Sequence, residues 1–422
     1  MIQDIIIIEI DNLYVQIMIK FFYSTIGVLL FSAVNMSAQD NDVVNLSLNG
    51  VETIQINNPE PNPHNNQIWL PEISSNMSFT LFNLPQELTS GYINRVYLDS
   101  DYIIVECNQS VLCYDKSGIL LNNIGTIDIP LETRTFHLRP SAVFVDMSKK
   151  EIWVSYWLSE AKDYHYFYIY GFSGQLIRKV PNLSFQFKDF VVTDNAICTY
   201  NGSFHELRNP DNLVDRYYNE LSVVGNGQTK RLIPSSPNKD YAAYGTTFNF
   251  NALSDSYTFH FMYSNTIYSI DKNTSDVKTK YNIDFGTNGF PDFNAMSAQE
   301  VESYIMNNSK GKIGIVQDVL ENEKYLVFTY YMNGPIAQSI VIFDKASHSI
   351  RYHGSLASST KITSQGSNPQ LIGMDEEKLY FKLFINEMNP LLPTAADMLS
   401  KSDYDTLLKV KDEIVVMSVK LK

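Results

Sequence analysis

The sequence predicts an all-β chain folded as a six-bladed β-propeller with two short helical insertions. Three observations predict it: a composition suited to strands, a four-strand unit that recurs along the chain, and apolar runs inside those units. The 422 residues include 27 Tyr and 24 Phe, and only 18% are charged. Aromatic side chains fit pleated, half-buried strands. A chain of this length ordinarily divides into two domains, but a repeat array extends one core by stacking.

The recurring unit is a strand pair, an apolar strand, a short polar turn and another strand. Strands at 93–98, 102–107 and 111–114 lead through Asp115-Lys116-Ser117-Gly118 to 119–121. Strands at 142–146, 151–157 and 166–170 lead through Gly171-Phe172-Ser173-Gly174 to 175–178. The third unit has 190–193, 196–200 and 220–224, with a turn at 225–228. The fourth has 257–263, 266–270, the turn 271–274 and 277–283. The fifth has 313–320, 324–331 and 339–343, the turn 344–347 and 349–352. The sixth has 370–374, 378–385 and 413–421. Units of this kind, somewhat over about 50 residues apart, are propeller blades. A blade buries both faces against its neighbours, so its inner strands read as continuous apolar runs. Residues 325–331, Tyr-Leu-Val-Phe-Thr-Tyr-Tyr, have that character.

Two helices interrupt the strands. Ser297-Ala298-Gln299-Glu300 is a capping box, followed by Val301, Tyr304 and Ile305 on one helical face. The second runs from Thr394 to about Leu408, with a break near Ser402.

Residues 1–38 are expected to be a signal peptide. Lys20 precedes an apolar run over 21–34, and Ser37-Ala38 precedes a polar stretch. A basic residue, a short apolar core and a small residue at the exit direct a chain to export. Cleavage is placed after Ala38, although Met36 suits the −3 position poorly. Asp4, Glu9 and Asp11 put acids where a signal is basic, so translation is expected to start at Met18, with residues 1–17 a mis-assigned start. Residues 39–70 form a polar segment with a Pro-rich linker at 57–64, and 71–422 form the propeller. Weak strands at 43–48, 53–56 and 67–70 are available to seal the last unit, which has only three strands of its own; the strand at 79–84 is the alternative. An open edge would invite aggregation.

Once the signal is removed, no membrane span is expected. Cysteine is absent around the cleavage site, which predicts a soluble periplasmic or extracellular protein without a lipid anchor. Cys107, Cys113 and Cys198 are read as strand residues: the first two sit diagonally across a hairpin, and the count is odd. The net charge of −14 and the lack of basic runs argue against nucleic acid as a partner.

Three stretches resemble the secreted six-bladed β-propeller proteins of Bacteroidetes, which are distantly similar to NHL-repeat propellers. Residues 92–105 with Leu112-Cys113-Tyr114-Asp115-Lys116-Ser117-Gly118 resemble that family's first blade. Residues 281–286 with Phe290-Pro291 and the 297–307 helix resemble its inter-blade insertion. Residues 323–328 and 415–421 resemble its last two blades. The likeness covers roughly residues 75–422. It departs at 124–130, where a Gly-rich loop of the family is missing, and in lacking a lipidated cysteine. The resemblance implies fold and export and carries no defined activity.

A search for chemistry assigns no catalytic, cofactor-binding or metal residue. Gly171-Phe172-Ser173-Gly174-Gln175 misses the hydrolase elbow and sits in a hairpin. Gly225-Asn226-Gly227 is a turn with no helix after it. The seven histidines, 64, 137, 165, 205, 260, 348 and 353, show no metal-ligand spacing. Residues 271–276 lack the calcium-loop order. Tyr164, Tyr166, Phe167, Tyr168 and Tyr170, with Phe185, Phe187 and Phe190, fit packing between blades better than a ligand-stacking surface. Two functions follow. The first is an exported, monomeric, non-catalytic binding or scaffold propeller for a peptide, glycan or protein, without cofactor. The alternative is a hydrolase or lyase with an axial pocket. Ionisable side chains on the axis with displaced pKa values favour the enzyme; an apolar or water-filled channel favours binding.

Overall fold

The computed structural model describes residues 50–56, 67–68, 70–81, 93–107, 110–131, 134–156, 166–181, 187, 189–200, 204–205, 217–218, 221–225, 228–232, 250–261, 264–291, 303–304, 307, 312–332, 338–356, 369–385, 390–391, 393–397, 399–410 and 413–422. The chain divides into two compact units. Residues 1–42 with 205–216 form one, of which only residue 205 is described. Residues 43–204 and 217–422 form the other, which carries all that follows. The expected signal peptide, the weak strand at 43–48 and the turn residues 226–227 lie outside the described residues.

Among the described residues, six sheets follow one another as blades. Blade one is Ile93–Leu98, Tyr102–Cys107, Ser110–Asp115 and Leu120–Ile124. Blade two is Pro140–Asp146, Glu151–Tyr156, Tyr166–Gly171 and Leu176–Pro181. Blade three is Asp189–Val192, Ile197–Tyr200, Leu221–Gly225 and Gln228–Leu232. Blade four is Phe250–Ala252, Ser256–His260, Thr266–Asp271 and Val277–Asp284. Blade five is Ile313–Glu321, Tyr325–Met332, Gln338–Asp344 and Ser349–Leu356. Blade six takes Gln370–Met374, Lys378–Ile385 and Glu413–Leu421 from the C-terminal end.

Apolar residues from facing blades interlock at each junction. Ile104 and Cys113 of blade one meet Val143, Ile152 and Val154 of blade two. Phe144 and Phe167 of blade two, Phe190 and Tyr200 of blade three, and Phe259 of blade four share one cluster. Ile283 meets Val316 and Phe328 between blades four and five. Val327 and Ile342 meet Leu371 and Phe381 between blades five and six. Ile372 and Tyr380 of blade six meet Val96 and Val105 of blade one, which completes the ring. Alternation along each strand sends successive side chains to opposite neighbours. Phe167 and Ile169 therefore pack toward blade three, while Tyr168 packs toward blade one. The aromatic run at 166–170 is core, as its alternation predicts. Cys107 and Cys113 also enter different junctions, so they face away from each other and stay free thiols.

The ring closes through a strand from the other end of the sequence. Ser74–Leu81 is the outer strand of blade six, antiparallel to Glu413–Leu421, with Phe79 opposite Met417. This overturns the expectation that a strand within 43–70 makes the seal. The strand around Phe79 does so, beginning earlier, at Ser74. Its length is the physical reason: seven of its eight residues enter the ladder, against four at Glu52–Gln55 and two at Gln67–Ile68.

Those shorter strands add in parallel to other edges. Glu52–Gln55 runs beside Tyr281–Asp284 of blade four, and Gln67–Ile68 beside Ser355–Leu356 of blade five. Ile54 and Ile56 are each 2% exposed in the junction of blades four and five. Ile68, Leu70 and Ile73 enter the next junction. The segment thus forms a strap over blades four, five and six.

The second helical insertion is a 3-10 turn at Pro393–Asp397 followed by the helix Lys401–Leu407. The Ser400 hydroxyl accepts the Asp403 N–H at 3.1 Å, so the break falls at this N-cap rather than near Ser402. Of the first insertion, Ser303, Tyr304 and Asn307 are helical, and the Tyr304 ring meets the edge of Phe290 at 5.8 Å.

Candidate functional site

The meander sorts the connections onto two ends. In an antiparallel run of four strands, the first and third connections lie at one end. The second connection, and the crossing to the next blade, lie at the other. The first end carries short turns closed by Asp or Asn. Asp146 accepts the N–H groups of Ser148 and Lys149, and Asp271 those of Asn273 and Thr274. The Asp271 turn is therefore an ordinary Asx turn, as expected.

These turns also bind one another from blade to blade. Lys150 of blade two pairs with Asp99 of blade one at 3.1 Å. Lys149 pairs with Asp194 of blade three at 3.7 Å. The Asp194 N–H donates to the Lys272 carbonyl of blade four at 2.8 Å. Ser254 donates to Glu323 of blade five at 3.2 Å, and Asn322 donates to the Asp375 carbonyl of blade six at 2.8 Å. The buried Glu321 carboxylate at this end receives Lys280 at 2.8 Å, Lys345 at 2.9 Å and Thr258 at 2.5 Å. Many of the polar groups of this end are thus engaged with each other.

The opposite end holds the long connections. The hairpin Ile127–Leu131 with Arg134–Leu138 stands between blades one and two, and the Pro393–Asp397 and Lys401–Leu407 insertion lies within blade six. Three charged side chains meet at this end. Arg95 is the third residue of the first strand of blade one, and Asp189 begins the first strand of blade three. Arg95 Nη2 lies 2.5 Å from Asp189 Oδ2 and Nη1 lies 3.5 Å from Oδ1. The side chains are 11% and 6% exposed. First strands of neighbouring blades touch side by side from blade two round through blades three, four, five and six to blade one. One arginine reaches past blade two to blade three only close to the ring axis. Asp189 Oδ1 also accepts the Phe190 N–H at 2.9 Å.

Glu106 is paired with Arg95 across the strands of blade one. Its Oε2 lies 3.9 Å from Arg95 Nε, and among the described residues no hydrogen bond reaches that oxygen. Burial raises the Glu106 carboxyl to about 7; Arg95 opposes the rise and the Asp189 charge adds to it. Tyr97 lies two residues along from Arg95, and burial pushes its hydroxyl up as well. Arg95 and Asp189 neutralise each other, which leaves Glu106 as the carboxyl with an open oxygen.

Other residues singled out in the sequence stay apart. Ser173 is exposed in its hairpin turn, beside Gly174 at φ +81°. His137 bonds Asp128 at 2.6 Å, His348 bonds Glu52 at 2.7 Å and His353 bonds the Tyr330 hydroxyl at 2.7 Å. His260 is fully buried, with Nε2 3.0 Å from the Val316 carbonyl. His64 and His165 lie outside the described residues, as does the side chain of His205. No three His, Cys, Asp or Glu among the described residues are grouped to hold a metal ion. Sequence reasoning missed Arg95, Glu106 and Asp189. A signal existed for Glu106, a charge between the apolar Val105 and Cys107 inside a strand, and more weakly for Arg95 and Asp189, whose strands are otherwise largely apolar.

The chain belongs to the family described as Domain of unknown function (DUF4933), whose model matches residues 47–350. No curated protein matches it. A Bacteroides fragilis NCTC 9343 protein described as exported is similar in structure, with a TM-score of 0.55 and 14% identity over 88% of this chain and 99% of that one. A member of the DUF4221 family from Bacteroides vulgatus ATCC 8482 has a TM-score of 0.42 and 12% identity over 83% of this chain and 99% of that one. The Neurospora crassa Pan2 WD40 domain has a TM-score of 0.39 and 9% identity over 85% of this chain and 98% of that one. No helix among the described residues is long and apolar enough to cross a membrane.

Proposed function

We propose that this protein is an exported binding propeller that takes a peptide, glycan or protein on the end bearing the long connections, over Arg95, Glu106 and Asp189. The segregation of the two ends carries the reading. One end ties many of its polar groups into turn-to-turn contacts, whereas the other gathers the insertions and an under-satisfied carboxyl. Loops on a rigid scaffold are where recognition concentrates. The mutual neutralisation of Arg95 and Asp189 favours binding over turnover.

A second reading rests on Glu106 alone. A carboxyl raised to about 7 beside an arginine suits the general acid of a hydrolase or lyase. Kinship with NHL-repeat propellers remains part of the proposal. Export is supported by the pattern at residues 18–39 and by the exported Bacteroides fragilis neighbour. N-terminal sequencing of the secreted chain should start near Gln39; retention of residues 1–17 refutes that cleavage.

The functional test is a displayed peptide library and a glycan array, probed with wild type, Glu106→Gln and Glu323→Lys. Glu323 is exposed in a short turn at the opposite end. The reading expects hits weakened about tenfold by Glu106→Gln, or about 1.4 kcal/mol, and unchanged by Glu323→Lys. Hits lost only in Glu323→Lys overturn it. Cleavage of an arrayed compound that Glu106→Gln abolishes establishes the second reading instead.

A further inference from the structure

The outer edges of the blades are treated unequally. Blades four and five each receive a parallel strand from the strap, and blade six ends on Ser74–Leu81. Blades one, two and three end on Leu120–Ile124, Leu176–Pro181 and Gln228–Leu232, with no further strand among the described residues, and the first two are adjacent. Aliphatic side chains stand exposed there. Ile119 is 63% exposed and Leu121 45%; Leu176 is 48% and Ile177 49%. The two edges are neighbours, because Asn122 Nδ2 of blade one donates to the Gly174 carbonyl of blade two at 3.0 Å. Unpaired backbone flanked by exposed aliphatics is a template for strand addition, and natural proteins cover such edges.

We infer that these two edges bind an extended segment of a partner protein, one that alternates aliphatic and polar residues and carries acidic flanks. The strap shows the mode on this same ring. Its Glu52-Thr53-Ile54-Gln55-Ile56 pairs by backbone with an outer strand and buries alternate isoleucines. Strand addition of this kind draws affinity from main-chain hydrogen bonds and specificity from alternate side chains. The charge around the edge selects the flanks. Lys116 and Lys179 are exposed and make no ion pair among the described residues, Lys179 lying over the Tyr168 ring at 4.5 Å, while Arg178 is held by Glu151 at 2.5 Å.

The test uses the mature chain and a fluorescein-labelled peptide, EDIQITIDE, followed by anisotropy and hydrogen exchange. Saturable binding is expected, with slowed exchange at residues 120–124 or 176–181. Leu121→Lys with Ile177→Lys should weaken it by about tenfold or more. Lys116→Glu with Lys179→Glu should weaken it severalfold, more at low salt than at high. All four positions are exposed, so an unchanged melting temperature verifies that the variants fold. Three results overturn the inference. One is no saturable binding at millimolar peptide. Another is binding indifferent to Leu121→Lys with Ile177→Lys. The third is sedimentation showing that wild type dimerises through the patch, which assigns the edge to a second copy.

Discussion

Glu106→Gln tests the charged cluster through the pH dependence of stability. In the folded chain the Glu106 carboxyl sits near 7, against 4.5 when exposed. A carboxyl raised on folding binds its proton more tightly in the native state, so the native state loses stability as pH climbs. The penalty is absent below about 4.5, grows through 7 and is complete above it. The interval converts to about 3 kcal/mol at pH 8. A neutral glutamine carries no such penalty. The variant should therefore match wild type near pH 4.5 and exceed it in stability at pH 8. For a chain of this size the gain should appear as a rise in Tm of roughly 3–6 °C at pH 8. Denaturant unfolding at pH 4.5, 6, 7 and 8 measures the same difference as free energy. Two outcomes refute the argument: a Tm difference that does not change with pH, or a variant less stable than wild type at pH 8. Either would mean that Arg95 holds Glu106 ionised and that burial does not govern it.

Three further predictions follow from the ring and its straps. Asp189→Ala leaves Arg95 buried without its principal carboxylate and should cost about 3–5 kcal/mol in urea unfolding, while Asp189→Leu with Arg95→Met should recover most of that. Gly373→Ala would place a Cβ 2.9 Å from the Val96 carbonyl at the joint of blades six and one; a loss of about 1–3 kcal/mol is expected by calorimetry, and no loss would show that this joint yields freely. Ile54→Ala should cost about 2–5 kcal/mol, because Ile54 is 2% exposed, whereas removal of residues 39–68 should lower Tm yet leave a closed ring whose last blade resists proteolysis. Rapid cleavage of blade six after that deletion would restore the sealing role to the strap.

Much of the architecture was legible because it is local. The strands Ile93–Leu98, Tyr102–Cys107, Gln370–Met374, Lys378–Ile385 and Glu413–Leu421 begin and end where apolar periodicity and turn residues place them. Turns such as Asp271-Lys272-Asn273-Thr274 announce themselves because an Asp carboxylate satisfies the backbone within three residues. Phe250–Ala252 and the hairpin Ile127–Leu131 with Arg134–Leu138 escaped notice; the first is three residues long and the second leaves the four-strand rhythm.

By itself, then, the sequence determined the all-β class, the number of blades, and the reading of the 166–170 aromatics and the cysteines as core. Each follows from side-chain alternation within one strand or hairpin. Only the tertiary structure decided which N-terminal strand seals the ring, where the strap lies, and that Arg95 meets Asp189 across 94 residues of sequence. The physical reason is the same in each case. Several weak strands compete for a few free edges, and the outcome depends on ladder length and on burial in a junction built by distant segments. A lone charge in an apolar strand likewise signals that it must have a partner, but the partner's identity exists only once the blades stand around a common axis.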